Sequence, residues 1–196
     1  MILAHLAFLS TLLVAALADV VVNPITGITS KNLMFTGTID VATTKLFFTY
    51  YGFDGETDAE KLSSKPLIIA VGAPGRSAQY INLGGMGPKT LKNDMTLADN
   101  TNSLTSLANV MFLDSFGSGF SFAASGDDIP SDSKSYGASL TSAINSFIQN
   151  ASIGKSAKIY LVGESTFLRA LTGLDDIDPL QAVFHISNWF DFYGLG

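Results

Sequence analysis

The 196 residues are 47% hydrophobic and 14% charged, a balance that suits one folded domain with a sizeable core and excludes a disordered chain. The formal net charge is −6, and the 11 basic residues are scattered singly, so no patch can neutralise a phosphate backbone and no nucleic acid partner is expected. There is no cysteine and there are two histidines, which leaves no disulfide to brace the fold and no thiolate for a zinc site.

Residues 1–18 are apolar apart from His5, Ser10 and Thr11, and they close with Ala16-Leu17-Ala18. That small-x-small ending is the pattern of a signal-peptidase site, so 1–18 is read as a leader and 19–196 as the domain. A membrane anchor is the rival reading. The apolar run 2–17 is short for a span, which needs about 20 residues, and no stable membrane span is expected. Asn150-Ala151-Ser152 is a glycosylation acceptor pattern in any chain entering the secretory pathway.

Residues 33–41 and 45–51 are rich in β-formers, and Ala42-Thr43-Thr44 between them allows only a hairpin. The stretch 54–64 is polar and acidic; Pro66 then introduces Leu-Ile-Ile-Ala-Val, a short continuous apolar run of the sort buried on both faces of a parallel sheet. Similar runs recur at 109–114, 159–162 and 182–186. Between the second and third, residues 136–151 place Leu140, Ala143, Ile144, Phe147 and Ile148 at helical spacing and exit through Gly154-Lys155-Ser156. Strands alternating with helical segments imply a parallel sheet with right-handed crossovers. The connections 73–108 and 115–135 are long, and long loops in compact domains tend to carry function.

At 158–167 a run of β-formers meets Gly163, Glu164 and Ser165 and then helix-forming residues. A serine at such a strand-to-helix corner stands above the sheet edge beside the unpaired amides of the following helix, where an acyl-transfer nucleophile and its oxyanion donors are wanted. Phe167 occupies the last position of the G-x-S-x-G pattern, so on spacing alone Ser165 is either that nucleophile or the cap of an ordinary turn. Gly117-Ser118-Gly119 and Gly84-Gly85 match neither phosphate-loop pattern and are read as turn glycines. Asp94, Asp99, Asp127 and Asp128 lack calcium-loop spacing. No metal and no cofactor is expected.

Three segments in order match the patterns of one peptidase family. Val71-Gly72-Ala73-Pro74-Gly75-Arg76-Ser77 is similar to N-G-G-P-G-C-S. Residues 108–122, Ala-Asn-Val-Met-Phe-Leu-Asp-Ser-Phe-Gly-Ser-Gly-Phe-Ser-Phe, are similar to A-N-V-L-F-L-D-S-P-V-G-T-G-F-S-Y with one residue dropped. Gly163-Glu164-Ser165 resembles the start of G-E-S-Y-A-G. Weaker echoes are Phe35-Thr36-Gly37, Phe47-Phe48, Gly87-Pro88 and Ile186-Ser187-Asn188. By these segments the chain resembles the serine carboxypeptidases, the α/β-hydrolase peptidases of lysosomes and vacuoles.

The resemblance implies an α/β-hydrolase-like, mainly parallel sheet with an amino-terminal β-hairpin, truncated after about six strands in the order one, two, four, three, five, six. It implies release of a carboxy-terminal amino acid from a peptide substrate through an acyl-enzyme on Ser165. The oxyanion amides would be those of Ala73 and Thr166, with Gly72, Gly75 and Glu164 binding substrate. Several working positions depart from the family. Ala73 replaces a glycine, Val71 replaces an asparagine that helps hold the terminal carboxylate, and Gly84-Gly85-Met86-Gly87-Pro88 stands where E-E-L-G-P supplies the acidic partner of Glu164.

The triad order in this fold is Ser, Asp, His. His185 falls inside the apolar run 182–186, roughly three residues or about 10 Å below the strand end that should carry Ser165, and is read as structural. Asp175, Asp176 and Asp178 are read as a solvated turn. The chain by itself is therefore expected to be inactive; a non-catalytic relative binding peptides or a partner, and an incomplete gene product, are the alternatives. The run 182–186 is expected to be an apolar sheet edge that forms a homodimer or aggregates, with a lysine at Val183 favouring monomer.

Overall fold

The computed structural model of the chain describes residues 20–24, 30–150, 158–164, 177 and 180–186. Strand β1 is Val20–Pro24, β2 is Met34–Val41 and β3 is Thr44–Tyr51. A one-turn helix, α1, covers Ala59–Ser63, and β4 is Leu67–Val71. A short helical segment, α2, Gln79–Ile81, runs into a wide turn at Asn82–Met86. Next come the small strands β5 (Lys89–Leu91) and β6 (Leu97–Asp99), then β7 (Asn109–Leu113) and β8 (Phe122–Ala123). The long helix α3 is Ser133–Asn150, followed by β9 (Ile159–Glu164) and β10 (Leu180–Ile186).

The main sheet runs β1-β2-β3-β7-β4-β9-β10, with β8 paired to the start of β3. The six strands read from the sequence thus lie in the implied order one, two, four, three, five, six. β1, β2, β3 and β7 pair antiparallel, and β7, β4, β9 and β10 pair parallel. Three local expectations are corrected. The hairpin loop holds two residues, not three, because Thr44 already pairs with Val41. The hairpin is also not the first element, since β1 lies outside it against β2. The long connection 73–108 contains the β5–β6 ribbon, whose rungs Lys89–Asp99 and Leu91–Leu97 are too short to show as periodicity.

β4 and β7 are apolar without alternation because both of their faces are covered. Leu67, Ile69, Val71, Met111 and Leu113 face α3 and meet Leu140, Ile144 and Phe147 in the larger core, together with Ile39, Leu46, Phe48 and Tyr50. Ala70, Val110 and Phe112 face the other way, onto Ala78, Ile81 and Val162. β2 instead alternates, with Phe35, Gly37 and Ile39 buried, Thr36 and Thr38 half-exposed between them and Asp40 exposed, as expected of a strand with one covered face. α3 holds its buried residues Tyr136, Leu140, Ala143, Ile144, Phe147 and Ile148 on one stripe.

Candidate active site at the carboxyl edge of the sheet

Ligands of open α/β sheets bind beyond the carboxyl ends of the parallel strands. Here Val71 of β4 is level with Leu113 of β7 on one side and with Gly163 of β9 on the other. The loops starting at Gly72 and at Asp114 therefore leave the sheet side by side, and β9 reaches the same edge on the other flank of β4.

The first segment is a folded turn. The Gly72 amide donates to the Leu113 carbonyl at 3.0 Å, and the Arg76 amide donates to the Ala73 carbonyl at 2.8 Å. Pro74 takes the second position of that turn and Gly75, at φ 79°, the third, which is the chemistry of a type II turn. Gly72 is required for a different reason: a Cβ there would strike the Arg76 carbonyl and come within 2.7 Å of the Ala78 amide nitrogen. Ala73 is 6% exposed, and its own amide finds no acceptor among the described residues. The Arg76 guanidinium lies over the exposed Tyr80 ring, 4.8 Å from its centroid.

The second segment is tied to the first by Asp114, which is fully buried. One carboxylate oxygen accepts from the Ser77 hydroxyl and from the Ala78 amide, both at 2.6 Å, and the other accepts from the Phe120 amide at 2.9 Å. Gly117 and Gly119 have φ of 64° and 58°, so they are turn glycines as read. Further along, the Ser115 and Tyr136 hydroxyls pair at 2.7 Å. Burial raises the Tyr136 pKa, and the bond to Ser115 opposes that only in part.

Of the site residues read from the sequence, Gly72, Ala73 and Gly75 are brought together in the turn, and Glu164 is the last residue of β9. Ser165 and Thr166, one and two positions further on, lie outside the described residues, as do Asp175, Asp176 and Asp178. His185 is level with Gly163 and one position short of the end of β10. It is thus one position below the strand end and not about three, and it remains on the strand. Asp94 and Asp99 serve locally. Bonds from Thr96 lower the Asp94 pKa, and a 2.6 Å bond from Lys89 lowers that of Asp99. No group of three or more His, Cys, Asp or Glu side chains fit to hold a metal occurs among the described residues. The role of Asp114 was missed, because the sequence shows it only as the residue closing an apolar run.

A cavity of about 400 Å³ lined by Lys31, Asn32, Asp54, Lys89 and Asp99 lies elsewhere. Asp54 follows the end of β3, which pairs with the start of β7, so this cavity is at the opposite edge from the turn.

A mixed sheet with antiparallel strands on its amino-terminal side and parallel strands β7, β4, β9 and β10, with the loops after β4 and β7 gathered at its carboxyl edge, is the architecture of an α/β-hydrolase. Residues 25–166 match the family model described as Serine carboxypeptidase, and the chain belongs to that family. Among curated relatives it is similar to the pheromone-processing carboxypeptidase kex1 of Schizosaccharomyces japonicus, with 31% identity over 61% of this chain and 22% of that protein. It also resembles serine carboxypeptidase S10 family member 1 of Dictyostelium discoideum, with 30% identity over 53% of this chain and 25% of that one. The chain spans about a quarter of the length of these relatives. Among solved structures, the prohormone-processing carboxypeptidase Kex1(Δ)p of Saccharomyces cerevisiae superposes with a TM-score of 0.65 at 20% identity, covering 79% of this chain and 38% of that one. That likeness is one of fold.

Proposed function

We propose that this chain carries the nucleophile and oxyanion part of a carboxypeptidase site. Ser165 attacks the carbonyl of a peptide's last bond, the amides of Ala73 and Thr166 receive the oxyanion, and the carboxy-terminal amino acid leaves from an acyl-enzyme that water then hydrolyses. The observation that carries this reading is the common register of Val71, Leu113 and Gly163. It supports the reading because the turn that holds Ala73 follows β4 at the same sheet edge that Glu164, the residue before Ser165, reaches at the end of β9. Attack needs a base to take the serine proton. His185 lies within β10 and not on a loop beyond the strand end, so the reading is that residues 19–196 by themselves do not turn over. A second reading is a non-catalytic relative that binds peptides in the same cleft. It is favoured by Val71, which is fully buried in the core where the family resemblance has a polar side chain for the substrate carboxylate.

Labelling by a fluorophosphonate tests the chemistry. The expected result is slow modification confined to Ser165 and abolished in Ser165→Ala, with no hydrolysis of blocked dipeptides. Rapid turnover would overturn the inactive reading, whereas peptide binding with no labelling at all would favour the binder. We also infer that 1–18 is a leader that routes the chain to the secretory pathway, and from there outside the cell or to a lysosome or vacuole. Protein made in a eukaryotic host for the same experiment is expected to begin at Asp19 and to carry sugar on Asn150; an intact Met1 would remove this inference.

A further inference from the structure

We propose that Asp114 is a positioning residue that holds the Ala73 amide ready for an oxyanion by clamping the turn 72–78 from the neighbouring loop. This rests on the reading of Ala73 as an oxyanion donor. Such a donor must be fixed before charge develops, because its advantage lies in not having to reorganise during the reaction. Pro74, Gly75 and Arg76 are exposed, and one backbone bond within the turn, Arg76 to Ala73, closes it. Its start is tied to β7 by the Gly72 amide on the Leu113 carbonyl, and the Arg76 carbonyl accepts from the Ser118 hydroxyl at 3.3 Å, so its far end at Ser77 and Ala78 is where a further anchor acts.

The Asp114 carboxylate supplies what the turn lacks. A buried carboxylate is tolerated only when its lone pairs are met, and here the donors come from both loops: Ser77 and Ala78 on the oxyanion side, Phe120 on its own side. The carboxylate is itself pinned to the sheet. The Asp114 amide donates to the Phe47 carbonyl at 2.8 Å, and the Ser121 hydroxyl, bonded to the Phe47 amide, donates to the Asp114 carbonyl at 3.3 Å. Gly119 lets the loops close together, since a Cβ there would strike the Asp114 carboxylate and lie 2.7 Å from Cβ of Ser77. Asp114 touches no reacting atom in this scheme; it acts through the turn.

The test uses the full chain with Asp114→Asn, which keeps the shape and removes one acceptor oxygen. The amides of Ala78 and Phe120 are expected to exchange with solvent about tenfold faster or more, while those of β4 and β7 stay unchanged. Fluorophosphonate labelling of Ser165 is expected to slow by a similar factor, with the affinity for a blocked dipeptide unchanged. Ser77→Ala, which removes one donor without touching the buried charge, is expected to shift both readouts the same way by less, and it serves if the Asn variant does not fold. Unchanged exchange overturns the clamp. Faster exchange with unchanged labelling, or labelling and peptide affinity falling together, overturns its positioning role. Labelling that persists in Ser165→Ala defeats the nucleophile reading separately. In that case, or if wild-type labelling is too slow to follow, the exchange result decides whether the clamp exists.

Discussion

Two glycines near the candidate site share a positive φ and differ in surroundings, which separates conformational from steric cost. Gly75 has φ 79° and open space within 4 Å of where a Cβ would stand, whereas Gly119 has φ 58° and meets Asp114 and Ser77 there. Gly75→Ala is expected to cost only the left-handed penalty of about 1–2 kcal/mol. Gly119→Ala adds displacement of a buried carboxylate and is expected to cost about 3–5 kcal/mol. Chemical denaturation of the two variants checks the ordering; equal costs would mean that the loops part freely and that their close approach is not held. Tyr50 shows the same contrast between space and chemistry. Its ring stacks on Phe35 at 4.5 Å, but its hydroxyl is buried with no partner among the described residues, and burial raises its pKa well above the usual value.

At the scale of elements, Asp54 joins three segments that the sheet alone does not hold together. Its carboxylate accepts from Asn32 at 2.9 Å, Lys31 at 2.6 Å and Thr105 at 2.6 Å, and its amide donates to the Thr105 carbonyl at 2.9 Å. Partial burial is the largest single influence and raises its pKa. The bonds from Asn32, Lys31 and Thr105, with the charge of Lys31, together outweigh it and leave the pKa lowered. A carboxyl depressed on folding contributes stability that is present above its unfolded pKa of about 3.9 and is lost as pH falls through the lower folded value. Denaturation midpoints are expected to drop steeply below about pH 4 in the wild type, and less so in Asp54→Asn, whose deficit at neutral pH narrows in acid. Parallel curves for the two proteins would show that the three bonds do not act on stability.

What was legible in the sequence follows from how each element is stabilised. The runs 67–71, 110–113 and 159–162 within the buried strands are legible as unbroken apolar stretches because both faces are covered, and α3 shows its stripe at Leu140, Ile144 and Phe147. β1 was not legible, since Val20–Pro24 adjoins an apolar leader-like run and carries a proline, and only pairing with β2 makes it a strand. The clamp on Asp114 was not legible either. Its partners at 77, 78 and 120 come together only when two loops leave adjacent strands in register, and no spacing in one sequence records that.

On the scale of the whole molecule, β10 forms the far edge of the main sheet among the described residues. Edge strands are normally guarded by charge, proline, bulges or a covering segment. β10 has one such device, a register irregularity between Leu180 and Ala182. Beyond it the strand is apolar apart from His185, and Phe184 is 53% exposed, its ring 6.3 Å from that of Tyr160. We propose that a second copy pairs along this edge. The lysine expected to favour monomer is better placed at Phe184 than at Val183, because Val183 packs against the α3-side core and a charge there would lower stability as well. Sedimentation of the wild type is expected to show association that grows with concentration, with Phe184→Lys shifted toward monomer at an unchanged denaturation midpoint. A wild type that stays monomeric at the highest concentration, with amides at 180–186 strongly protected from exchange, would show that the strand is covered within one chain and that no second copy pairs there.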